Sequence, residues 1–186
     1  MFYPISVIHS NQTGYVKDRY IGETVRPIFD IMDFTEKENI PGLMIFIDFR
    51  KAFDTLEWSF LFNCLDSFNF GNEFKRWIST FYKNIQSCVL DNGLSSEYFN
   101  LTRGDDPLSP YLFLLAVETL AIAIRENEEI KGIVIDKEET KLLQYADHTT
   151  AVLSDAELGY KPFSIGHFRV PLCFFFKTSL SAKPFM

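Results

Sequence analysis

Two aspartates, far apart in the chain, each stand where an apolar run ends. Asp48 closes Leu43-Met44-Ile45-Phe46-Ile47, and Asp147 closes the run Lys141-Leu142-Leu143-Gln144-Tyr145-Ala146 and is followed by His148. An apolar run of that length reads as a buried strand, so each carboxylate is expected at a strand end or turn. Two carboxylates brought together there are the donor set for hard divalent cations, which take oxygen ligands and can hold both the attacking and the leaving oxygen of a phosphoryl transfer. A strand-end aspartate is equally explained by plain solvation, so the residues alone leave both readings open. No Ser-His-Asp spacing and no phosphate-cradling glycine loop offers a rival chemistry. His9 and His167 stand without a matching cluster. Cys64, Cys88 and Cys173 are too scattered for a zinc site or a disulfide framework and read as structural thiols.

The elements that must carry these residues follow from periodicity. A helix is expected over 18–38 with Ile21, Val25, Ile28 and Met32 inward, kinked or broken at Pro27. A buried strand covers 43–48. Thr55 is placed as the cap of a helix to about 68, with Trp58, Leu61, Phe62 and Leu65 inward. A second helix over 72–83 buries Phe74, Trp77, Ile78, Phe81 and Tyr82. A hairpin follows, Gln86–Leu90 returning through Tyr98, Phe99 and Leu101, with its turn at Asp91-Asn92-Gly93. A loop with Gly104, Asp105, Asp106 and Pro107 leads to a helix over 108–127. Short strands are expected at 131–135, 140–146 and 149–153, the last two placing Asp147 on a hairpin tip. Beyond Asp155 the pattern fails, and 156–186 is left as an unassigned, disordered tail. The order is that of an α+β fold with a small, mainly antiparallel sheet.

Composition sets limits on function. The chain has 186 residues, of which 47% are hydrophobic and 20 are phenylalanine, enough for one cored domain. The longest apolar run, 110–124, is too short for a membrane span and carries Glu118. The N-terminus lacks a basic flank, so no membrane association and an intracellular location are expected. The net charge is −7, and residues 1–159 hold 14 basic against 25 acidic side chains, a poor balance for gripping nucleic acid.

Three segments nevertheless resemble one family in order and spacing. FIDFRKAFDTLEW (46–58), DPLSPYLFLLAVE (106–118) and LLQYADHTTAVLSD (142–155) are similar to the catalytic motifs of reverse transcriptases, and most of all to those of non-LTR, LINE-type retrotransposons. NQTGYVKDR (11–19) resembles the segment that joins fingers to palm in the same group. The resemblance implies the palm of a right-hand polymerase over 41–155, with 1–40 as a fingers-to-palm connection. It implies Asp48 and Asp147 as catalytic metal ligands for Mg2+ or Mn2+. It also implies the Phe49 carbonyl as an extra ligand, Ala52 beneath the triphosphate and Phe53 as the ring that excludes ribonucleotides. Lys17, Arg19, Pro107 and Ser109 fall on the template and primer side. An RNA template, a DNA primer and deoxynucleotides are the implied partners.

Departures from the pattern point to lost activity. The family's third motif reads YADD, whereas Tyr145-Ala146-Asp147-His148 ends in histidine, a poor magnesium ligand. Asp105 and Asp18 stand where the family tends to have glycine. Fingers motifs, endonuclease and thumb are not found in this sequence. The expectation is a truncated, degenerate reverse transcriptase, RNA-directed DNA synthesis being its inherited and silenced activity. The alternative is a non-catalytic nucleic-acid- or nucleotide-binding remnant.

Overall fold

The computed structural model describes residues 7–101 and 107–154, and the backbone of 178–185. Helix α1 spans Gly22–Glu38 and strand β1 Gly42–Phe49. The single turn α2 (Ala52–Thr55) precedes α3 (Trp58–Ser67) and α4 (Asn72–Phe81). Two short ladders follow: β2 (Gln86–Ser87) pairs with β5 (Phe99–Asn100), and β3 (Leu90–Asp91) with β4 (Leu94–Ser95). Helix α5 (Ser109–Glu126) leads to β6 (Ile133–Ile135) and β7 (Glu138–Thr140), which pair with each other. β8 (Leu142–Tyr145) and β9 (His148–Leu153) form a hairpin, and β10 covers Thr178–Phe185. The main sheet has the order β10-β1-β9-β8, and its pairings are antiparallel, so the fold is α+β.

Alternation along β1 builds two cores. Leu43, Ile45 and Phe49 join a cluster with Phe60, Leu61 and Leu65 of α3 and the apolar face of α5. Met44, one residue out of phase, joins Ile31 of α1, Leu143 and Val152 in a second cluster, with Phe46 packed against it. A period of two puts these sets on opposite faces, so the sheet is covered on both sides. By the same count Asp48 lies on the face of Met44 and Phe46, at the end where helix cover stops. α5 is the most buried helix. Within it Glu118, 1% exposed, is ion-paired to Arg125, and Lys141 Nζ donates to the terminal carbonyls of Arg125 and Asn127 at 3.0 and 3.1 Å. Partial burial and the Arg125 charge lower the pKa of His9.

Several expectations change. α1 runs through Pro27 without a break, and its buried line is Thr24, Ile31 and Thr35, while Ile21 and Val25 are exposed. The threonines go inside because their hydroxyls find partners: Thr24 Oγ1 donates to the Gln144 carbonyl at 3.0 Å and Thr35 Oγ1 to that of Ile31 at 2.8 Å. Thr55 does not cap the next helix. It ends α2, with its hydroxyl donating to the Lys51 carbonyl at 3.0 Å, and α3 starts after Glu57. On α4 only Ile78 is buried, while Trp77 and Phe81 are 64% and 59% exposed, so core packing does not explain them. Ile78 and Tyr82 reach the core, with Phe74 packed against it, and Tyr82 stacks on Trp58 with ring centroids 4.7 Å apart.

The second hairpin turns tightly at Asn92 and Gly93, both at positive φ (47° and 83°), as a two-residue turn of mirror-image type requires. Gly104, Asp105, Asp106, Cys173 and His167 lie outside the described residues. The tail carries an element after all, because β10 pairs with β1 from Gly42↔Phe185 to Phe49↔Thr178. Ser179-Leu180-Ser181-Ala182-Lys183-Pro184 does alternate polar with apolar residues, a short strand period that the sequence reading passes over among the tail's scattered prolines, and an edge position tolerates Pro184. Among the described residues no helix is long and apolar enough to cross a membrane.

Two outcomes test this packing. Glu118→Ala strands the Arg125 guanidinium in a mostly buried setting and is expected to cost about 3 kcal/mol, read from the urea midpoint; an unchanged midpoint would show that the pair contributes nothing. Burial pushes the Cys64 thiol up to about 12, with the Thr119 hydroxyl pulling weakly the other way. Mass mapping after thiol labelling at pH 8 should find Cys64 unmodified until the chain is unfolded.

Candidate functional site

The β1–β9 register sets Asp48 directly opposite His148. The β8–β9 hairpin turns through Ala146 and Asp147, between Tyr145 and His148, which pair. Ala146 takes a left-handed φ of 55°, uncommon for a residue with a Cβ, and the chain reverses within two residues. The tip thereby carries Asp147 to the end of β1. Ligand atoms of Asp48, Asp147 and His148 all lie within 4.8 Å of one another. The imidazole stands between the carboxylates, with Nδ1 3.7 Å from Asp48 Oδ1 and Nε2 4.0 Å from Asp147 Oδ1. Asp48 and His148 are exposed and Asp147 is partly buried. Two carboxylates with one imidazole at this spacing can share a single divalent cation, offering oxygen and nitrogen donors together.

Behind the carboxylates the chain is aromatic. Phe49 and Ala52 are buried, and Phe49 meets Phe113 edge-on at 5.6 Å. Phe53, partly buried, packs edge-on against Phe113 at 5.6 Å and Tyr15 at 5.9 Å. Tyr15 also meets Tyr111 at 6.3 Å, and both tyrosines keep an exposed side. Lys17 is exposed. The Arg19 guanidinium is turned inward on its own loop: Nη1 donates to the carbonyls of His9 and Gln12, both at 2.7 Å. Pro107 is exposed, and Ser109 is buried in the first turn of α5. Asp18 sits at φ 65°, a left-handed conformation that glycine adopts more easily.

A model of the family described as reverse transcriptase (RNA-dependent DNA polymerase) matches residues 1–159. This chain belongs to the reverse transcriptase family. The uncharacterized 149 kDa protein of transposon TX1 from Xenopus laevis is 27% identical over 154 residues, which are 80% of this chain and 12% of that protein. The motifs and this transposon relative together make it a reverse transcriptase domain of non-LTR retrotransposon type. The chain spans only that small share of its relative, so the activity of the longer protein is not transferred with the likeness.

Reading this reverse transcriptase domain by sequence singles out Lys17 and Arg19 in NQTGYVKDR and passes over Gln12 and Gly14. In the fold these two reach the hairpin tip. Gln12 is 1% exposed and bonded to the backbone of Ala146, and a Cβ on Gly14 would stand 2.1 Å from the Ala146 nitrogen. An uncharged amide in a turn-rich segment has no periodic signature; the available signal was the glycine two residues on, which marks a close backbone approach. Gly14→Ala must push the tip away and is expected to destabilise the chain by about 2 kcal/mol in urea unfolding.

Proposed function

We propose that this domain is the palm of a right-hand polymerase, with residues 1–40 as its connection to the fingers, and that RNA-templated DNA synthesis is its inherited activity. Asp48 and Asp147 are the divalent-ion ligands, and His148 replaces a carboxylate and silences the chemistry. The observation that carries this reading is the convergence of Asp48, Asp147 and His148 at one end of the sheet, within a chain whose family uses divalent metal. The donor set fits a cation: Asp48 and Asp147 offer oxygens, and His148 offers one nitrogen. A bound ion there would supply Lewis acidity toward the phosphate oxygens. In this reading the chain's own residues bind and orient. Phe53, wedged between Phe113 and Tyr15, presents a fixed ring that crowds a ribose 2′ position. Ala52, whose methyl is buried in the core, keeps α2 low beneath a triphosphate.

The proposed loss follows from charge and ligand type. A second carboxylate at position 148 would add negative charge and hard oxygen donors, whereas imidazole supplies neither. Removing one preorganised electrostatic partner of a transition state commonly costs two to three powers of ten in rate, on the order of 3 kcal/mol. The acidic balance and the engagement of Arg19 by its own loop weigh against a surviving nucleic-acid grip as the present role.

Primer extension on an RNA template, with Mg2+ and then Mn2+, tests the reading on the chain beside His148→Asp and Asp48→Asn. The expected outcome is silence from the natural chain and from Asp48→Asn, with extension restored by His148→Asp. Extension by the natural chain that Asp48→Asn abolishes would show that the site works with histidine. Silence from all three folded proteins would place the loss elsewhere than position 148.

A further inference from the structure

We infer that Gln12 is a positioning residue for Asp147, holding the hairpin tip through both backbone groups of Ala146. The turn has a reason to need holding. Ala146 sits at φ 55°, and a left-handed backbone costs a residue with a Cβ about 1 kcal/mol or more. The restraint comes from a segment 134 positions away in sequence. Gln12 Oε1 accepts from the Ala146 N–H at 2.8 Å and from the Gly14 N–H at 2.8 Å, and its Nε2 donates to the Ala146 carbonyl at 3.0 Å. One buried amide thus uses three of its four hydrogen-bonding positions on two backbone units.

The strap around Gln12 registers it. Residues 11–13 run beside β8, with a parallel bridge between Gln12 and Gln144. The Gln144 N–H donates to the Asn11 carbonyl at 2.8 Å and the Thr13 N–H to the Gln144 carbonyl at 3.0 Å. Asn11 Nδ2 reaches the Leu142 carbonyl at 2.8 Å. Gly14 then lies so close to the Ala146 nitrogen that no side chain fits between. Thr13 and Thr24 join the strap to α1 through their hydroxyls. Asp147 follows Ala146 directly, so fixing both polar groups of Ala146 fixes the peptide plane that carries the Asp147 Cα, and the Tyr145–His148 pairing holds the chain beyond it. Groups that orient a ligand without touching the ion typically matter 10- to 100-fold in affinity.

The inference rests on the proposed role of Asp147 as an ion ligand, and its test keeps the two apart. Mn2+ binding to the full chain is measured by calorimetry for the natural protein, Gln12→Met, Gln12→Asn and Asp147→Asn. Amide hydrogen exchange is followed by NMR in the first three. Gln12→Met keeps the volume and removes all three bonds; Gln12→Asn keeps the polarity, falls short of Ala146 and decides the matter if the methionine variant does not fold. The expected result is a loss of Mn2+ affinity of about tenfold or more. Exchange at the Ala146 and Gly14 amides should also accelerate about tenfold, with Ile45 and Ala151 unchanged. Unchanged affinity in the Gln12 variants, where Asp147→Asn abolishes binding, would overturn the inference. If the natural chain binds no Mn2+, the reading of Asp147 as a ligand fails on its own. Exchange then decides for Gln12: selective acceleration at Ala146 sustains the positioning role, and a uniform rise overturns it.

Discussion

Everything near the carboxylates depends on the register between β1 and β9. Antiparallel pairing places Asp48 opposite His148 and, two positions at a time, Phe46 opposite Thr150 and Met44 opposite Val152. A slip of one residue would carry Met44 to the α3–α5 side and Asp48 with it, because strand side chains alternate with a period of two. Burial on both faces forbids that slip. Leu43 and Ile45 need the large core, Met44 needs the one under α1, and neither set can exchange without stranding the other. The chemistry-bearing end of the sheet is therefore held by apolar residues remote from it. β10 on the outer edge of β1 adds backbone pairing along the whole strand, including Ser179 opposite Asp48.

Polar groups do the work that apolar packing cannot do at the tip. A two-residue turn leaves no side chains to pack and forces one residue into a left-handed conformation. The buried amide of Gln12 and the carbonyl of Gln144, which accepts from Thr13 and Thr24, substitute for a core there. Buried polar groups are tolerated when bonded and costly when not. That makes this region specific in conformation. The Glu118–Arg125 pair within α5 meets that rule in part: Nη2 and Oε1 bond each other, while Glu118 Oε2 and Arg125 Nη1 are buried without a partner among the described residues.

Charge and exposed aromatics give the remaining surface its character. Trp77 and Phe81 stand out from α4 and, with Leu108 and Tyr111, line a shallow apolar groove. Tyr15 and Tyr111 show a similar half-exposed aromatic edge beside Phe53. The basic residues do not compensate the acidic excess of residues 1–159, and Arg19 satisfies its own loop. As a reverse transcriptase domain, this chain presents aromatic faces more readily than a basic groove.

Local features were legible in the residues. A continuous apolar run made β1 legible and put Asp48 at its end, Asn92-Gly93 named its own turn, the apolar 110–124 run marked a buried helix, and three ordered motifs pointed to the family that the comparison then established. Periodicity misjudged α1 and α4, because it ranks side chains by apolarity and cannot know that Thr24 and Thr35 find partners or that Trp77 and Phe81 are left uncovered. It took the folded chain to show that Asp48, Asp147 and His148 meet, that Gln12 fastens Ala146, and that residues 178–185 form an edge strand on β1. The reason is physical. Hydrophobic pattern records burial along one element, whereas register, the partner an edge strand pairs with and a buried amide's choice of partner depend on segments distant in sequence.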